Sequence, residues 1–415
     1  MKTIATLSTL ATFLLLVGQQ AVSALRTCPV KHNGEDDSQA IKDAFEECKS
    51  NGRVVFSKNK KYMLGDVVVT PELDNVEIVF DGSLTYPFNM VYNDTTPPVP
   101  GAVQGVSAFF TIQGQNVKVV GNGGEIYGSG EEWWHLDPLP SNRPVMMAFM
   151  VDKLDVRGMK LINSPNWNFY VHRSKKVKFE DIFIEDIDNK HGVKPHNTDG
   201  WDTSEVDGIT IINSHINNAD DCVAIKTSMY NKKNNYTTNI HIENVYCNGS
   251  HGISVGSLGN IPEMPDYVSN MLVKNVTCEN CQNGARIKTW PRSSLGYVQN
   301  VSYVDFHVTN SDNPIQIDQC YFNIEEEECL ADPAKLQISN LSFKNITGGG
   351  SKKAGQVMAY IVCSAGSPCE EFTFENIDLI PYDGSEPVYL CENLANNKTA
   401  GLDCTPKNER EIKKK

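Results

Sequence analysis

Three carboxylates, one imidazole and two fixed cations fall in order between Asn197 and Lys288. Asp199 lies in Asn197-Thr198-Asp199-Gly200, Asp220 and Asp221 are adjacent, His251 stands between Ser250 and Gly252, and Arg286 and Lys288 flank Ile287. Cleaving a sugar–sugar bond takes one carboxylic acid to protonate the leaving oxygen and one carboxylate to act on the other face of the ring. Crowded like charges raise at least one carboxyl pKa, as a general acid requires. Arg286 and Lys288, at i and i+2, share one strand face. There Arg can hold a sugar carboxylate bidentately while Lys acts as a point charge. Singly, each motif has a plainer reading: Asn and Asp are common corner residues, a lone His is more often structural, and two cations suit a solvated strand. Their order carries the weight.

The elements that must position these groups show in a repeat with apolar residues at i, i+2, i+5 and i+7. It reads Leu154/Val156/Met159/Leu161, Val177/Phe179/Ile182/Ile184, Ile240/Ile242/Val245/Cys247, Met271/Val273/Val276/Cys278, Val301/Tyr303/Phe306/Val308 and Phe372/Phe374/Ile377/Leu379, with partial copies from Ile209 and Leu341. A spacing of two is that of a strand, and the extra residue between halves resets the inward face. Copies mostly recur at the spacing of solenoid coils, whose apolar faces are buried only by stacking. Asp199, the Asp pair, His251 and the cations then sit roughly one coil apart on one face. Asp220 and Asp221 reach it together only at a bend or bulge.

The expected fold is all-β: a right-handed parallel β-helix filling one domain, residues 25–415. A β-sandwich or propeller is the rival, although no four-strand blade signature is visible. Asp36 to Lys49 reads as a short amphipathic helix, with Ile41, Ala44, Phe45 and Cys48 on one face, capping the N-terminal end.

Residues 1–24 resemble a secretory signal peptide, with Lys2, the apolar run at Leu14-Leu15-Leu16-Val17 and small residues at Val22-Ser23-Ala24. No later stretch is apolar enough to span a bilayer. The expected chain is secreted and extracellular. Twelve cysteines fit an oxidising compartment. Local pairs would be Cys28 with Cys48, Cys222 with Cys247, Cys363 with Cys369 and Cys391 with Cys404, leaving Cys278, Cys281, Cys320 and Cys329 open. Zinc is the rival reading of Cys278-Glu-Asn-Cys281, without a second pair at metal spacing. Acceptor triplets for N-glycans stand at Asn93, Asn235, Asn248, Asn275, Asn300, Asn340, Asn345 and Asn397. A formal charge of −14 argues against a nucleic-acid partner. It permits an anionic polymer, because recognition is set by local cations.

Together, N-T-D, D-D, S-H-G and R-I-K in this order resemble the four signatures of the polygalacturonases of glycoside hydrolase family 28, whose third is usually G-H-G. The resemblance runs from about residue 28 to the C-terminus and implies a parallel β-helix that hydrolyses α-1,4-galacturonosyl bonds with inversion, without metal or other cofactor. Asp220 would be the general acid, Asp199 and Asp221 would hold and activate water, and His251 would tune the acid or touch substrate. Arg286, Lys288 and Tyr321 would bind galacturonate, and a Cys222–Cys247 disulfide would lie near the site. Two departures are Ala219, where Gln or Gly is common, and Ser250 in place of Gly.

The wording from Asn248 to Gly259, Ala285 to Pro291 and Ile317 to Tyr321 looks more like fungal exo-acting members. Inserts at Tyr86 to Pro100 and Glu325 to Lys335 could close one end of the cleft. An endo enzyme, a pectate lyase and a wall-binding protein without turnover are the alternatives. The expected partner is polygalacturonate, with no nucleic acid or membrane, and the expected state is a monomer.

Overall fold

The computed structural model describes residues 25–90, 96–228, 230–231, 235–292, 295–322, 324–395 and 401–406. The leader and the sequons at Asn93 and Asn397 lie outside them.

The repeat folds as its period demands. Ile209, Ile240, Met271, Val301, Leu341 and Phe372 are register partners on successive coils, and so are Ile211, Ile242, Val273, Tyr303, Phe343 and Phe374. All these ladders are parallel, and the strands join in one 24-stranded sheet wound into a parallel β-helix. Inside it like stacks on like. The rings of Tyr303, Phe343 and Phe374 stack at 5.4 and 5.1 Å, a geometry worth about 0.5–1.5 kcal/mol per pair beyond the area buried.

Between the two halves of each copy the chain bends through a left-handed residue: φ is 52° at Asn213, 56° at Asn244, 51° at Asn275, 53° at Asp305 and 54° at Asn345. Asn and Asp tolerate that conformation because their short polar side chains bond locally. A second left-handed row, Asn239, Asn270, Asn300 and Asn340, stands just before successive copies and bonds between coils. Asn239 Nδ2 donates to Asp207 Oδ1 (2.7 Å), Asn270 to Asn239 (3.2 Å), Asn300 to Asn270 (3.1 Å) and Asn340 to Asn300 (2.7 Å). Several sequon asparagines are therefore ladder members. Asn235 is different: its side chain is buried and its amide donates to the Pro265 carbonyl and Asp266 Oδ1, both at 2.7 Å. A glycan has no room there.

A helix at Ser38–Glu47 covers the N-terminal end, burying Ile41, Ala44 and Phe45. The four local disulfides form as expected, and Cys320 pairs with Cys329. Cys278 and Cys281 stay as buried thiols.

One wall of the rod carries the site. Its strands include Trp201–Asn217, Val223–Ile225, Ile253–Leu258, Asn283–Thr289 and Asn313–Asp318. Trp201, Val223, Ile253, Ala285 and Ile315 point inward in one row. The alternating row, pointing out, reads Tyr170, Asp202, Ala224, Ser254, Arg286 and Gln316.

That outward row continues through Ala148 and Thr111 on the earlier coils, but from Tyr170 on toward them it is covered. Tyr170 is fully buried because Val99, Ala102, Val103 and Val106 pack on it, together with Trp167 and Val145. The covering segment is pinned by Val103 N donating to Tyr170 Oη (3.0 Å) and by His172 Nε2 on the Pro100 carbonyl (3.2 Å). The segment that covers the wall, residues 98–107, overlaps the insert expected at Tyr86 to Pro100 only in its first residues; Ala102, Val103 and Val106 lie past that insert's end. The second insert forms a short helix, Glu326–Ala331, with no buried residue, tethered by Cys320–Cys329 beside Tyr321.

Candidate active site

Asp199, the Asp220–Asp221 pair and His251 stand at the corners entering these wall strands, whereas Arg286 and Lys288 lie within the strand Asn283–Thr289 and Tyr321 follows the strand Asn313–Asp318. Gly200 is required at the first of these corners because a Cβ would lie 2.4 Å from the Cys222 carbonyl oxygen. Gly252 has φ +87°, and a Cβ on it would meet the Asn283 carbonyl at 2.2 Å. Asn218 ties two corners together, its Nδ2 donating to the carbonyls of Thr198 (2.7 Å) and Asp221 (3.0 Å). Ala219 N donates to Thr198 Oγ1 at 3.1 Å. Ser250 uses the hydroxyl that glycine lacks, donating to the Asp220 carbonyl (2.9 Å) and accepting from Gly252 N (3.0 Å). It fixes the turn that presents His251.

The corner at 218–222 turns both aspartates toward the cleft. His251 Nδ1 lies 3.1 Å from Asp220 Oδ1, and Asp221 N donates to the same oxygen at 2.8 Å. Asp221 accepts from Ser254 Oγ at 2.7 Å and Lys288 Nζ at 2.6 Å. Arg286 Nη1 stands 3.7 Å from Asp221 Oδ1. Tyr321 lies over both cations, its ring centroid 5.5 Å from Arg286 Cζ and 5.4 Å from Lys288 Nζ. The seven residues singled out in the sequence therefore belong to one array, linked at the Asp199 end by the Asn218 bridge. The donors of Asp220, Asp221 and His251 lie within 4.8 Å of one another, a spacing a metal ion could use. Lys288 already neutralises one of them.

Comparison with known proteins matches residues 48–401 to the model of the glycosyl hydrolases family 28. The chain belongs to this family. It is 34% identical over 384 residues to a protein named probable exopolygalacturonase B from Neosartorya fischeri, covering 90% of this chain and 82% of the relative. Over 403 residues it is also 34% identical to an exopolygalacturonase of Cochliobolus carbonum, covering 93% and 87% of the two chains. Among solved structures it resembles an endo-xylogalacturonan hydrolase from Aspergillus tubingensis, with TM-score 0.79, 27% identity and coverage of 92% and 99%. An exopolygalacturonase from Thermotoga maritima shares the fold at TM-score 0.67 and 20% identity, covering 86% and 88%.

This family 28 site holds charged groups that the motifs did not reveal. Asp202 and Lys226 are buried, with Lys226 Nζ 2.6 Å from Asp202 Oδ1 and 4.0 Å from Asp199 Oδ2. Lys226 also faces the Trp167 ring at 5.3 Å. The signal available in the sequence was strand alternation, which puts Asp202 and Lys226 on the outward face beside Ala224. Arg143, far upstream, is also buried. Its Nε donates to the Pro165 carbonyl (2.7 Å) and its Nη2 to the His196 carbonyl (3.2 Å) and Asn197 Oδ1 (2.9 Å). It clamps the segment that leads to Asp199, and no local pattern announces it.

A carboxyl is raised, chiefly by burial and then by crowding, but on a different aspartate from the expected acid. Burial, reinforced by the charges of Asp202 and Asp220, holds Asp199 well above the usual carboxylate range. Burial also pushes Asp202 up to about 7 against the pull of Lys226. Burial would raise Asp220 as well, yet the hydrogen bond and charge of His251, with Lys288, hold it well below the usual range. The reason is partner geometry: Asp220 touches a cation-forming ring, whereas Lys226 is shared between Asp199 and Asp202.

Proposed function

We propose that this chain hydrolyses α-1,4 bonds of polygalacturonate from a chain end, releasing galacturonic acid with inversion. The observation that carries the substrate class is Arg286: its buried Nε has no hydrogen-bond partner, and beside it Lys288 and the Tyr321 ring leave a cationic seat. An unmet buried donor costs about 1–3 kcal/mol, which a sugar carboxylate would recover. The relatives' names agree with that substrate.

The exo mode is supported by the covered row. One coil beyond Asp202 the wall is occupied by residues 98–107, leaving between Val103 and Lys226 a cavity of about 30 Å³, room for a water or two rather than a sugar.

Asp220 serves as general acid. In the free enzyme it is an anion beside His251, so its proton comes through that ring. When a galacturonate carboxylate engages Arg286 and Lys288, it weakens their hold on the Asp220 and Asp221 anions and raises proton affinity where the leaving oxygen sits. Asp221, ionised against Lys288, takes the proton of the attacking water, which Asp199 orients. Secretion after removal of residues 1–24, and a monomeric state, belong to the same reading. Five disulfides suit an oxidising compartment, and among the described residues no helix is long and apolar enough to cross a membrane.

A product time course on polygalacturonic acid, with viscosity and ultraviolet absorbance followed together, tests this. Galacturonic acid alone from the earliest times, with little thinning, is the expected result. An oligomer ladder with rapid thinning would overturn the exo mode, and unsaturated, absorbing products would overturn hydrolysis.

A further inference from the structure

Glu132, His135 and His191 lie apart from the carboxylate array, and each presents one ligand atom within 4.8 Å of the other two. We infer that these three side chains form a binding site for a divalent cation of the zinc class, joining the short helix Glu131–Trp134 to the turn at 188–193. Two imidazoles and one carboxylate are a zinc donor set, and three protein ligands leave a fourth position for water.

Both halves of the site are held in place without metal. On one side, Trp133 and Trp134 are buried, while Glu131 is bonded by Tyr127 Oη and by Asn163 Nδ2 (2.8 Å). That leaves Glu132 and His135, three residues apart, on the outer face of the turn. His135 Nδ1 meets the Glu131 carbonyl at 3.0 Å, which fixes the tautomer and leaves Nε2 for an ion, as ligating histidines are usually held. On the other side the Asp188 carboxylate accepts from the backbone N–H of Lys190 (2.7 Å), His191 (2.8 Å) and Val193 (2.9 Å).

The two halves meet face to face. The imidazoles of His135 and His191 stack with centroids 4.0 Å apart at 26°; because a ligated ion lies in the ring plane, a turn of the His191 ring to another rotamer is what aims one nitrogen of each at a shared ion. His191 Nε2 lies 3.7 Å from Glu132 Oε2. The other Glu132 oxygen is held by the Lys190 ammonium, a cation occupying the place an ion would share. Lys190 is therefore a competitor for Glu132. The turn at 188–193 leads into the Arg143-clamped residues His196 and Asn197, so an ion here stiffens the approach to Asp199 and supplies no reaction chemistry.

The full chain, stripped with a chelator, would be titrated with zinc chloride by calorimetry and by thermal unfolding. We expect one ion per chain and an unfolding midpoint that rises with zinc. His135→Ala and His191→Ala should each weaken binding by more than about tenfold, the loss typical even of an outer partner. Lys190→Ala, which removes an exposed side chain, should strengthen it and keep the metal-free unfolding midpoint, while for each histidine variant the zinc-dependent rise is read against that variant's own metal-free midpoint. Absence of binding to the wild-type chain overturns the site. So does binding that survives loss of both histidines, or that disappears with Asp220→Asn instead.

Discussion

Asp220 and His251 make the sharpest single-residue test. Asp220→Asn keeps the shape and the contact to Asp221 N but removes the transferable proton. Turnover should fall by about 10²–10⁴-fold, the usual worth of general acid–base catalysis. Oligogalacturonate binding, measured by calorimetry on the same variant, should stay within a few fold of wild type, because Arg286, Lys288 and Tyr321 are untouched. Near-normal rates would remove Asp220 from the acid role. At this scale the sequence was legible where residue type and order are both unusual. Asp199, Asp220, Asp221, His251, Arg286 and Lys288 stand out as motifs, whereas Lys226 looks like the polar end of an apolar run. Its partner Asp202 becomes visible only once the strand face is known. The location of the raised carboxyl was not legible at all, because it depends on which aspartate meets His251 and which shares Lys226.

Among the elements, residues 98–107 decide how far a polymer can thread. Replacing 99–106 by a short Gly-Ser link would uncover the Tyr170 row and open the wall beyond Asp202. The variant should then release oligomers and thin the polymer faster per bond cut; product sizing beside viscometry reads both. Unchanged monomer release would mean that the end of the wall does not set the mode. The ladders allow a second test. Asn270→Ala loses two inter-coil bonds and places alanine at φ 58°, which together cost about 1–3 kcal/mol. Asn270→Gly relieves the backbone part alone, so its unfolding midpoint should lie between those of alanine and wild type. The coils themselves were readable from the i, i+2, i+5, i+7 pattern because stacking makes each copy bury the same positions. The plug was not readable beyond its first residues: the insert marked in the sequence stopped at Pro100, while Ala102, Val103 and Val106 do the covering, and nothing local tells a loop which surface it will cover.

The whole molecule carries a pH dependence built from its buried carboxyls. Asp186, buried and bonded by Ser164 N and Asn168 Nδ2, is pushed up to about 8, Asp202 to about 7, and Asp199 is raised as well. A group raised on folding stabilises fully below its unfolded value, near 4, and that stability is lost as pH climbs through the folded one. Asp220 and Asp221, held low, act in the opposite sense and lose their contribution only on strong acidification. The unfolding midpoint should therefore peak near pH 4 and decline between about pH 4 and 8, as calorimetry across that range would show. A flat profile would mean that these carboxyls are ionised in the folded chain.

The asparagine ladders also have a direction. In the series from Asp207 to Asn340, each later coil brings the Nδ2 donor and each earlier coil the waiting oxygen, and the first member is an acid with no amide to donate. A ribosome delivers the chain in that same order, so every finished coil is a template whose acceptors are set before the next turn emerges. The rod can grow vectorially, one coil at a time, without reopening what has already been laid down.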